Sequence, residues 1–158
     1  MAVGVGSVVV AGLAASAAAG GCPAGEAAAD ALRATHEAAR RAHLEGNAEL
    51  MAPAMAERMV MASRGELSVS PKAAALAFFR SYFERVKYLE WSDSELPIVS
   101  VAPDGRSGWM AVKVRARYVE RAKPDAAPKA FRSSWIATYE RVGCDWKMTG
   151  NASAVVEE

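Results

Sequence analysis

The sequence predicts an α+β domain, with helices first and antiparallel strands after. Three observations carry this reading. From Glu26 to Val86 the longer apolar segments recur with helical spacing, and from Tyr88 onward apolar residues alternate with a period of two. The third observation is size. A chain of 158 residues, 52% apolar and 23% charged, suits one domain able to bury a core of its own. Lys+Arg 19 against Asp+Glu 18 leaves a net charge of +1, which argues against a nucleic-acid binder and against an acidic disordered tail. Two cysteines far apart, Cys22 and Cys144, exclude a disulfide-dense scaffold and a cysteine zinc cluster.

The N-terminal segment reads as an export signal over residues 1–21. Residues 1–25 carry no charged side chain, and Val8 to Ala14 form an apolar stretch followed by small residues. Ala19-Gly20-Gly21-Cys22 resembles a bacterial lipobox, which implies lipidation of Cys22. The expectation is an exported protein: a lipoprotein of the cell envelope, or a periplasmic or secreted one. Membrane contact would come only through the N-terminal anchor. With Cys22 lipidated, Cys144 is a lone thiol; without lipid, a Cys22–Cys144 bridge becomes available. Residues 22–27 read as a short tether to a domain spanning residues 28–158.

Glu26 to Glu45 is rich in Ala, Leu, Glu and Arg, all good helix formers. Leu32, His36, Ala39 and His43 fall on one face at spacings of four, three and four. Gly46-Asn47 ends this helix, and Asn47 caps a short second one from Ala48 to Met51, limited by Pro53. Strands follow at Met59 to Ala62 and Glu66 to Val69 around a Gly65 turn. Ser70 as a cap and Pro71 as the first helical residue open a third helix, Lys72 to Val86. Its Leu76, Phe79 and Phe83 keep helical spacing.

Tyr88 to Trp91 and Ile98 to Val101 read as one strand broken in the middle, and Pro103-Asp104-Gly105 as a turn. From Trp109 to Arg121 alternation is clear: Met110, Val112, Val114, Ala116 and Tyr118 face one way, Lys113, Arg115 and Arg117 the other. Lys123 to Lys129 is a loop with two prolines. Phe131, Ser133, Trp135, Ala137 and Tyr139 alternate next, a hairpin turns at Gly143, and a last strand runs from Asp145 to Val155.

This order resembles the nuclear transport factor 2-like, or SnoaL-like, superfamily. Four segments carry the resemblance: Ala42 to Leu50, Ser70-Pro71 opening Phe78 to Phe83, Trp109 to Val119, and Tyr139-Glu140-Arg141 followed by Asp145-Trp146-Lys147-Met148. It implies a cone-shaped fold with three N-terminal helices packed in a curved antiparallel sheet around a pocket. It also implies a homodimer through the outer sheet face. Members similar to ketosteroid isomerase carry a carboxylate base at the end of the first strand, a position that falls near Ser63 and Arg64. Their protonated acid falls near Arg132 to Ser134 and their oxyanion tyrosine near Ala39. None of these residues supplies the required group, which argues against that chemistry.

The remaining polar candidates are His36 and His43, on the pocket-facing side of the first helix and able to act as acid or base. As a metal pair they are weak, because i,i+7 spacing separates them and no third ligand is apparent; no metal or cofactor is expected. An aromatic pocket for a small apolar ligand is expected from Trp91, Met110, Tyr118, Trp135, Tyr139 and Phe79. Met51, Met55, Met59 and Met61 read as gap-filling core. Lys113, Arg115, Arg117 and Arg132 form a basic stripe that Glu120, Glu140 and Asp145 would neutralise across strands. The leading expectation is a non-catalytic module that binds a small apolar ligand or dimerises. The alternatives are a small lyase, isomerase or cyclase with a histidine base, and an envelope interaction domain.

Overall fold

The computed structural model describes residues 21–158. The expected leader, residues 1–21, lies outside these apart from its last residue. Helix α1 (Gly25–Glu45) begins inside the expected tether, and Gly46 ends it in the left-handed region at φ 67°, its N–H returning to Ala42 and His43 carbonyls. Asn47 caps a 3₁₀ helix, Ala48–Ala54, by accepting from the Glu49 N–H. Strands β1 (Met55–Ser63) and β2 (Glu66–Pro71) form a hairpin, followed by α2 (Lys72–Arg85). Ser70 lies within β2 rather than capping α2; the N-cap is Pro71, with no side-chain cap. The chain then makes β3 (Val86–Asp93), β4 (Ile98–Val101), β5 (Ser107–Glu120), β6 (Lys129–Val142) and β7 (Asp145–Glu157).

One seven-stranded sheet results, ordered β2-β1-β7-β6-β5-β3, with β4 also pairing β5. The expected break is present: β3 pairs the C-terminal part of β5 and β4 its N-terminal part. The expected antiparallel sheet is corrected to a mixed one, because β1 and β7 pair in parallel. A parallel pair needs a long crossover, and here the whole intervening chain supplies it. Register shifts between Tyr88 and Glu90, between Thr138 and Tyr139, and between Met55 and Val60 mark bulges. Bulges of this kind bend a sheet and add twist, and this sheet curves over α1 and α2.

Its inner face, α1 and α2 bury Leu32, Phe83, Val114, Ala116, Ala137 and Trp146. Trp146 Nε1 donates to the Ala28 carbonyl at 3.1 Å, so a buried indole is satisfied by the helix it packs on. At Gly108 a Cβ would sit 2.8 Å from the Ser100 carbonyl oxygen and 3.2 Å from Leu32 Cδ2. Gly108→Ala therefore strains the β4–β5 pairing and the core together. A loss of about 2 kcal/mol is expected, read as a lower urea midpoint with unchanged slope.

Cys22 and Cys144 form a disulfide with Cα atoms 5.1 Å apart. This is the pairing expected where Cys22 carries no lipid, its sulfur being bonded to Cys144. Beside the bond, Arg141 Nη1 donates to the Pro23 carbonyl at 2.6 Å and the guanidinium stacks 4.4 Å over Trp146. The neutralisation of the basic stripe is corrected too. Lys113 pairs with Glu95, and Arg115 and Arg132 share Glu158. Glu120 pairs instead with Lys129, and Asp145 with Lys147. Among the described residues no helix is long and apolar enough to cross a membrane.

Candidate functional site

Between α1, the 3₁₀ helix, α2 and the inner sheet face lies a cavity of about 480 Å³. Its mouth lies beside α2, where the lining residues Ala74 and Phe78 are exposed. Helical spacing brings Thr35, His36, Ala39 and His43 to the cavity from α1. The sheet adds Trp91, Trp135 and Tyr139, and α2 adds Phe79. Two residues of the expected pocket fall elsewhere. Met110 is sealed in the core, and Tyr118 packs against Tyr88 and Phe131 beyond the cavity lining.

The four expected core methionines, Met51, Met55, Met59 and Met61, line the cavity together with Met148. They also pack among themselves and against Leu76 and Phe79, so core and wall are the same side chains. Thioether side chains are flexible and polarisable, which suits a wall that moulds to varied apolar shapes. No Asp, Glu, Lys or Arg lines the cavity among the described residues. Ser63 and Arg64 lie instead on the opposite side of the sheet, in a broad outer-face depression with Ala152 and Ile136.

His36 and His43 differ in their surroundings. His36 Nε2 donates to Asp93 Oδ1 at 2.7 Å, from a ring that is nearly fully buried. His43 Nδ1 donates to the Ala39 carbonyl at 2.7 Å, and the ring stacks on Trp91 at 3.7 Å between centroids. Burial pushes the His43 imidazole down to about 4, with the nearby His36 acting in the same direction and the Ala39 bond opposing. His43 is therefore uncharged at neutral pH and a weak base. Burial raises the Tyr139 hydroxyl above the usual phenol value, so that group also stays neutral. Trp91 Nε1 and Asn151 Oδ1, both on wall residues, are enclosed and have no partner among the described residues. No group of three or more His, Cys, Asp or Glu among the described residues could hold a metal ion.

No family model matches the chain, and neither does any curated protein. Solved structures do. A conserved protein from Planctomyces limnophilus DSM 3776 superposes with a TM-score of 0.67 at 15% identity, over 81% of this chain and 95% of that one. A nuclear transport factor 2-like protein from Cytophaga hutchinsonii ATCC 33406 gives 0.60 at 12% identity, over 80% and 97%. The chain has the nuclear transport factor 2-like fold. A ketosteroid isomerase-like protein from Erwinia carotovora atroseptica shares it, with a TM-score of 0.60 and 13% identity over 82% of this chain and 97% of that one. Identities this low establish the fold and no activity. Within the nuclear transport factor 2-like fold of this chain, chemistry rests on the cavity just described.

Asp93 and Asn151 are polar residues near or in the cavity wall that sequence reasoning missed. Alternation counted from Tyr88 or from Trp146 turns both outward. The bulge after Tyr88 resets the phase so that Trp91 and Asp93 follow Tyr88 inward. The bulge at Thr149 does the same, so that Asn151 and Ser153 follow Met148 into the wall.

Proposed function

We propose that this is a non-catalytic, exported module that binds a small, uncharged, largely apolar ligand in the cavity. The observation that supports it is the wall itself: five methionines and the five rings of Phe78, Phe79, Trp91, Trp135 and Tyr139, with no charged side chain among the described residues. The volume suits a small molecule, and apolar contact supplies the affinity. Export is supported by the Cys22–Cys144 disulfide, which persists in oxidising compartments. The test uses the neutral fluorophore N-phenyl-1-naphthylamine. Its emission rises saturably, one site per chain, with the wild type, and the rise is lost with Ala39→Trp, which fills the cavity from α1. An equal rise with both proteins overturns the reading.

The outer sheet face is proposed as a homodimer interface. Ala62, Ala152, Ile136, Ala111 and Ile98 stand in lateral register across five strands, with Ile136 54% and Ile98 62% exposed. A contiguous apolar row of this kind on a soluble domain marks an association surface. Ile136→Glu is expected to convert a dimer to a monomer in sedimentation velocity; a wild-type monomer at high micromolar concentration overturns the assignment.

A second reading rests on the His36–Asp93 pair. A carboxylate that orients a buried imidazole is the arrangement of a general base, which fits a small lyase, isomerase or cyclase. It requires that His36→Ala abolish turnover of a ligand recovered with the protein, while binding persists.

A further inference from the structure

The cavity holds one polar atom whose chemistry narrows the ligand. Ala39 O can only accept, so the 2.7 Å contact places the proton on His43 Nδ1. Nε2 then presents a lone pair, and no described residue donates to it. Nor is it sealed, for the enclosed unpartnered polar atoms of the described residues are Trp91 Nε1, Asn151 Oδ1, and Nε and Nη2 of Arg141. The ring is held in place by its neighbours. Trp91 stacks on one face, and Phe79, Phe83 and Tyr88 meet it edge-on with centroids 6.0, 5.3 and 5.4 Å away. The Tyr88 hydroxyl is itself engaged by Tyr82 at 2.8 Å.

We propose that His43 Nε2 is the specificity-determining acceptor of the cavity, and that its ligand is a neutral apolar molecule carrying a hydroxyl or N–H aimed at it. This rests on the ligand-binding reading and names its ligand class. A charged ligand finds no counter-charge among the described residues of the wall. A ligand without a donor displaces water from Nε2 and leaves a buried acceptor unpaired, which is how polar sites reject isosteres.

The test compares 2-naphthol with 2-methoxynaphthalene, which keeps the ring and the oxygen but has no O–H to donate. By calorimetric titration the wild type is expected to bind 2-naphthol about tenfold more tightly or better. In His43→Phe that ratio falls to about one while the ether's affinity stays within about threefold, and His43→Gln, which keeps an acceptor, retains a preference. Equal affinities in the wild type overturn the assignment without any variant, so a poorly folded variant does not leave it undecided. An unchanged ratio in a folded His43→Phe overturns it as well. Those two results leave the cavity reading standing. Failure of both compounds to bind up to their solubility overturns the cavity reading and this inference together.

Discussion

Reduction of the Cys22–Cys144 bond is expected to lower the unfolding free energy by about 5 kcal/mol and the melting temperature by about 15 °C. The bond closes a loop across a sequence separation of 122, so it removes a large share of the conformational entropy of the unfolded chain. The native side is well prepared for it. The Arg141–Pro23 and Trp146–Ala28 hydrogen bonds already hold the start of α1 against the β6–β7 turn. Cys144 is exposed and Cys22 half-buried, so a soluble reductant reaches the bond without prior unfolding. The consequence extends to function, because α1 carries Ala39 and both histidines into the cavity wall. Thermal melts with and without reductant, repeated on Cys22→Ser with Cys144→Ser, measure the effect. Identical melts would mean that the bond is absent or adds nothing.

The second large effect is acid sensitivity from His43. Its folded value of about 4 lies below the ordinary 6.5, so above pH 6.5 both folded and unfolded states hold a neutral ring. As pH falls from 6.5 towards 4, the unfolded chain takes up a proton that the folded chain refuses. Stability contributed by the neutral ring is therefore present above 6.5 and lost as pH falls through that window, by about 3 kcal/mol in full. Carboxylates titrate in part of the same range, so the comparison is with His43→Phe. The wild type should lose stability faster than the variant between pH 6.5 and 4, measured by urea unfolding at each pH. Parallel curves would show that His43 is not held neutral by burial.

The architecture was legible because each helix and most strands announce themselves locally. Gly46-Asn47 closes α1 and opens the next turn as expected, and the alternation of β5 is unbroken from Met110 to Ala116. The parallel β1–β7 pair was not legible, since strand order is a long-range property with no local residue signature. The cavity was legible on its α1 side, where spacing alone aligned His36, Ala39 and His43. On the sheet the aromatic residues were legible, Trp91 by residue type even though it lies past a bulge, and the polar ones were not. Trp135 and Tyr139 fall in a continuous alternating run, whereas Asp93 and Asn151 lie past a one-residue insertion that exchanges the two faces. The methionine wall had a visible signal in Met51, Met55, Met59 and Met61. Apolar residue type alone, however, does not separate a packed core from the lining of a cavity.

Ligand occupancy of the cavity is tested by native mass spectrometry of the protein recovered from an export host, run alone and with saturating 2-naphthol. One small molecule per chain is expected, either retained from the host or taken up as 2-naphthol, and no such adduct on Ala39→Trp. Unliganded masses alone under both conditions, the same for wild type and Ala39→Trp, would contradict that occupancy.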